Sequence, residues 1–119
     1  MILDVEQCRR RLAVLPVEIF ACYTLWDRLA DTPVYVGMAR NPSRIKSHLQ
    51  KDDKRQGNLG KLVINQPFYT YVMQRPVGWL GVSFDLYDSH EEARSAEQSR
   101  IAEFGLRPFG SLFNRRAGG

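Results

Sequence analysis

The sequence predicts an α/β fold, a small central antiparallel or mixed β-sheet of three to five strands flanked by helices. Three observations lead there. The 119 residues suit one hydrophobic core. Two runs rich in β-branched and aromatic residues, 17–26 and 33–37, lie close enough to form a hairpin. Helical patterns with marked starts or stops occupy the regions before the hairpin, directly after it and near the C-terminus. The expected organisation is a single domain over 1–119, with an N-terminal helix in 1–16, a core in 17–114 and a short tail in 115–119.

Composition excludes some classes of function and leaves others open. No apolar run is long enough to cross a bilayer and the N-terminus lacks a signal-like pattern, so the expectation is a cytoplasmic protein without a membrane partner. Cys8 and Cys22 are too few for a disulfide framework or a zinc site and read as small buried hydrophobes. A net charge of +4 is a bias toward polyanions that many non-binders share.

Along the chain, Asp4 is placed to cap a first helix, with Gln7 reaching back in a capping box. Val5, Cys8, Leu12 and Leu15 fall on one face, and the run Arg9 to Arg11 reads as solvated surface. Pro16 should end this helix. Residues 17–26 then form a buried strand, and after a turn 33–37 return antiparallel to it, bringing Tyr23 and Tyr35 near one another. On the hairpin alone, core or cross-strand packing accounts for both tyrosines.

Asn41 and Pro42 are a strong helix start, cap and first helical residue. Ile45 and Leu49 face inward, which leaves Arg44 and His48, four apart, stacked along the boundary of the core. A planar guanidinium can bind two phosphate oxygens and stays charged, and an imidazole can donate a hydrogen bond or carry a proton. Taken singly, both residue types are ordinary surface groups. Residues 51–58 read as a polar loop, either solvated or following a phosphate backbone, and 59–64 as a short helix. The runs 68–73 and 82–87 are expected to be strands of a second hairpin turning at Pro76 and Gly78, with Tyr69, Tyr71, Trp79 and Tyr87 packing in the core rather than stacking on bases.

The last helix should run over 90–104, from the capping box of Ser89 and Glu92 to Gly105. Ala93, Glu97, Ile101 and Phe104 share one stripe, which sets a carboxylate in the middle of an apolar face. Such a group is costly unless paired with an arginine, hydrogen-bonded or bound to a metal, and the helix alone leaves these open.

In order and combination these residues resemble the GIY-YIG nuclease family. Ala21-Cys22-Tyr23, eleven residues, Tyr35-Val36-Gly37, then Arg44 and His48, then Ala93, Glu97 and Ile101, with Pro108 and Asn114 downstream, follow that family's order. Three departures stand out: the first triplet keeps only its Tyr, Arg44 lies one residue nearer the Gly, and the interval from Glu97 to Asn114 is longer. The resemblance implies a metal-dependent endonuclease acting on DNA. Tyr23 would be the general base or hold the attacking water, Tyr35 and His48 would assist it, and Arg44 would neutralise the phosphate. Glu97 would hold one Mg²⁺ (or Mn²⁺), and Arg40 and Asn114 would contact substrate. A nucleic-acid-binding module without turnover and a small basic partner-binding protein are the competing expectations.

Overall fold

A computed structural model describes residues 1–54 and 65–115. Their elements run α1 (Val5–Ala13), β1 (Ala21–Asp27), β2 (Thr32–Ala39), α2 (Pro42–His48), a single 3₁₀ turn (Leu49–Lys51), α3 (Gln66–Met73), β3 (Leu80–Leu86) and α4 (His90–Phe104). The described residues form an α/β fold with four α-helices about a three-stranded antiparallel sheet in the order β2-β1-β3.

Local chemistry explains most boundaries. The Asp4 carboxylate accepts from the Gln7 backbone N–H at 2.8 Å while Gln7 Oε1 accepts from the Asp4 N–H at 3.0 Å, so two orphan donors at the start of α1 are satisfied reciprocally. Asn41 caps α2 and Ser89 caps α4 through the third residue of each helix. The turn from β1 to β2 is closed by Asp27, whose Oδ1 accepts from the N–H groups of Leu29 and Ala30. Asp31 then takes a left-handed conformation (φ 52°), which a short polar side chain tolerates.

β1 is central, with both edges paired, and both of its faces are covered. Ala21, Tyr23 and Leu25 point into the larger core against Cys8 and Leu12 of α1, Ile45 of α2, and Phe68 and Val72 of α3. Cys22 points to the opposite side, where Ile101 of α4 and Leu112 close a smaller cluster with Val36. Both cysteines are buried free thiols that burial pushes up to about 11, so they are unreactive at neutral pH.

The expected second hairpin does not form. Residues 68–73 lie in helix α3, and β3 pairs with β1 rather than with them. Asn65 and Pro67 supply a helix start, the Asn65 side chain accepting from Phe68 N–H at 3.5 Å, and Phe68 and Val72, four apart, bury one face. The β-forming tendency of Phe-Tyr-Thr-Tyr-Val yields to that packing. Tyr71 of α3 donates to the Asp27 carboxylate, and Arg75 just beyond the helix bonds the same group at 3.1 Å, which anchors the region to the end of β1. The short helix expected over 59–64 lies outside the described residues, as does the second half of the loop expected over 51–58. Among the described residues no helix is long and apolar enough to cross a membrane.

After α4, Gly105 ends the helix with a positive φ of 78°, and the chain turns back along the free edge of β2. Phe113 N–H donates to Val34 C=O at 2.8 Å. Asn114 completes this edge with its side chain, Oδ1 accepting from Val36 N–H at 2.9 Å and Nδ2 donating to Val36 C=O at 2.7 Å.

Candidate active site

Tyr23 lies opposite Gly37 in the β1–β2 register, and Tyr35 is two residues earlier on β2, opposite Leu25. The two tyrosines are therefore diagonal neighbours on one face of the sheet. A Cβ on Gly37 would overlap the Oη and Cζ atoms of Tyr23, so the missing side chain is what lets the ring lie across β2. The Tyr23 hydroxyl then reaches His48 Nε2, hydrogen-bonded at 2.8 Å. The imidazole sits against both phenol rings, with centroid separations of 5.1 Å to Tyr23 and 5.8 Å to Tyr35. Tyr35 also stacks on Phe68 of α3 at 5.7 Å, so the helix that replaces the expected strand forms one wall of the site.

On α2, Ile45 and Leu49 are buried and Arg44 is exposed. The charge of Arg44 acts on Tyr23, Tyr35, His48 and Glu97, which brings all five groups into one electrostatic neighbourhood. Glu97 enters from α4, whose Ala93, Glu97 and Ile101 pack toward the sheet. Tyr23, Tyr35 and His48 are thus in direct contact, Arg44 bonds Tyr23, and Glu97 of α4 lies within electrostatic reach of both tyrosines.

Burial dominates the electrostatics. It raises the Tyr23 hydroxyl well above the ordinary phenol range; the neighbouring Tyr35 adds to the rise, Arg44 opposes it and Glu97 adds a little more. Tyr35 is raised in the same way, again against Arg44. His48 is held down to about 3 by burial and then by the positive charges of Lys51 and Arg44, so its ring is neutral at physiological pH. The Glu97 carboxyl is raised by burial, with Arg94 and Arg44 pulling the other way.

Glu97 is 6 % exposed, yet among the described residues it forms no hydrogen bond or salt bridge. A largely buried carboxylate with free oxygens suits a hard cation. Among the described residues no group of three or more His, Cys, Asp and Glu gathers around it, so the donor set does not fit zinc, which takes three or four protein ligands. It fits Mg²⁺ or Mn²⁺, which accept a single carboxylate and fill the remaining positions with water and phosphate oxygens.

Arg40 and Asn114 stand apart from this cluster in kind. Arg40, exposed just beyond the end of β2, bonds His90 Nδ1 at 3.2 Å across to the start of α4. Asn114 is buried with both ends of its carboxamide on Val36, where it extends the edge of β2. Lys51, expected in a polar loop, instead ends the 3₁₀ turn with its ammonium 2.9 Å from His48 Nδ1. The signal that could have found it is its spacing of three from His48 in a chain still helical at that point. No family model, curated protein or solved structure matches this chain.

Proposed function

We propose that this chain is a divalent-metal-dependent endonuclease of the GIY-YIG type that hydrolyses phosphodiester bonds in DNA. The observation that carries this reading is that two tyrosines, an imidazole and an exposed guanidinium hydrogen-bonded to Tyr23 share an electrostatic neighbourhood with a buried carboxylate that, among the described residues, has no hydrogen bond or salt bridge.

Phosphodiester hydrolysis needs an activated water in line with the leaving oxygen and positive charge facing the phosphorane-like transition state. Arg44, exposed at the rim, binds two phosphate oxygens and meets the charge that builds on them. Tyr23 orients the water and, as the phenolate left when its own hydroxyl proton has passed to solvent, takes the water's proton. At rest it is a neutral phenol, and the positive charge of Arg44 beside it favours the deprotonated form. Tyr35 closes the other side of the water site. Glu97 would hold the cation, which when bound supplies Lewis-acid stabilisation to phosphate and leaving oxygens.

The test is cleavage of supercoiled, single-stranded and branched DNA in Mg²⁺ or Mn²⁺ by the wild type, Tyr23→Phe and Glu97→Ala. The wild type is expected to cut. Each variant is expected to lose roughly 10²- to 10⁴-fold in rate, the usual contribution of a general base, while binding DNA almost as before. A folded wild type that binds these DNAs and cuts none of them in either metal would replace this reading with a binding module.

A further inference from the structure

Lys51 spends its ammonium in an unusual way. Lysines at a protein surface extend their charge into water or meet a carboxylate. Here Nζ lies 2.9 Å from a ring nitrogen, and among the described residues it forms no salt bridge. Its backbone is held as well: Lys51 C=O accepts from Trp79 Nε1 at 2.9 Å, and the next residue, Asp52, accepts from the N–H groups of Gly78 and Leu80 at 3.1 and 3.0 Å. Trp79 is fully buried, so the turn carrying Lys51 is fastened to the start of β3.

We infer that Lys51 is a positioning residue that fixes the tautomer of His48, placing the imidazole hydrogen on Nε2 so that it is donated to the Tyr23 oxygen. The assignment follows from the inventory of donors. An ammonium has three N–H donors and no acceptor, so Nδ1 of His48 must accept. A neutral imidazole carries one N–H, which is then on Nε2, 2.8 Å from Tyr23 Oη. Tyr23 accepts that bond, and its own hydroxyl hydrogen is free to point away from His48. Burial lowers the Lys51 amine only to about 8, so it remains the charged donor at neutral pH, and His48, held to about 3, remains neutral.

The chemical consequence rests on the nuclease reading. A hydrogen bond donated to the Tyr23 oxygen favours its deprotonated form. The opposite tautomer would accept the phenol hydrogen and hold Tyr23 in the protonated state.

Imidazole ¹⁵N–¹H long-range correlation spectra at pH 7 test the tautomer directly. The chain has two histidines, His48 and His90, and a His90→Gln variant assigns them. Wild-type His48 is expected as the Nε2–H tautomer, Lys51→Arg is expected to keep it, and Lys51→Met to shift the ring toward Nδ1–H. An Nδ1–H tautomer in the wild type, or an unchanged ring in folded Lys51→Met, overturns the inference; if Lys51→Met does not fold, the wild-type spectrum decides. In cleavage assays Lys51→Met should lower kcat roughly 10- to 100-fold, the worth of one hydrogen bond to a charged group, with KM for DNA unchanged and Lys51→Arg restoring activity. The spectra do not depend on turnover, so a wild type that fails to cut DNA removes the nuclease reading and leaves the tautomer to be judged on its own.

Discussion

At the scale of single residues, the site depends on what Gly37 lacks. Its backbone is ordinary extended strand, so conformational freedom is not the reason for glycine at this position. The reason is the Tyr23 ring, which occupies the space where a side chain would stand. Alanine there forces either the ring or β2 to move, and overpacking a buried contact costs about 1–3 kcal/mol. Gly37→Ala should therefore lower the melting temperature by several degrees and break the 2.8 Å bond between Tyr23 and His48. Removing the hydroxyl does not relieve the overlap, because Cζ and, at 2.9 Å, Cε1 would still meet the new methyl. The same alanine placed in a Tyr23→Phe background should cost nearly as much, as thermal unfolding of the four proteins of this double-mutant cycle would measure. Equal melting temperatures for the wild type and Gly37→Ala would mean that the close approach is not a constraint.

At the scale of elements, legibility follows the range of the determining contacts. The helix at 90–104, the start of α2 and the pairing of the first two strands were readable because caps, turn residues and periodicity act over three or four positions. The placement of Tyr23 and Tyr35 on paired strands, of Arg44 and His48 four apart on α2, and of Glu97 on the buried face of α4 was readable for the same reason. Helix α3 was misread because its cap at Asn65 and its Phe68 and Val72 spacing competed with a strongly β-forming composition. Packing against Tyr35, far away in sequence, favours the helix. Asn114 was beyond reach in the same way: nothing near it in the chain announces that its carboxamide will act as an extra strand residue for Val36, 78 positions earlier. Asn114→Ala would leave the Val36 N–H and C=O without partners at a buried edge, at a cost of about 1–3 kcal/mol. Amide exchange at Val36 should then accelerate in step with the loss of stability. Unchanged Val36 protection together with weakened DNA binding would return Asn114 to a substrate role.

At the scale of the whole molecule, the site's burial couples to its stability through pH. The His48 ring sits in the folded protein at about 3, against about 6.5 in an unfolded chain. Between those values the unfolded state binds a proton that the folded state refuses, so stability rises with pH across the window and falls on acidification. At pH 5 the linkage already amounts to about 2 kcal/mol, a figure set by the unfolded value as long as the folded one lies well below 5. Glu97 works against this, since burial raises its carboxyl and the folded state takes up its proton first; acidification therefore favours the folded form at that residue. Lys51 adds nothing in acid, because its window lies between about 8 and the ordinary lysine value, where stability also rises with pH. Tyr23 and Tyr35 act only above pH 10, where their raised hydroxyls make stability fall as pH increases. The acid limb is thus governed at the site by His48. A His48→Gln variant, which can still hydrogen-bond but cannot take up the proton, should lose less melting temperature than the wild type between pH 7 and pH 4.5. Calorimetry on both proteins checks this: curves that fall in parallel would show that His48 is free to protonate in the folded state, and a steeper wild-type curve that the folded site excludes that proton.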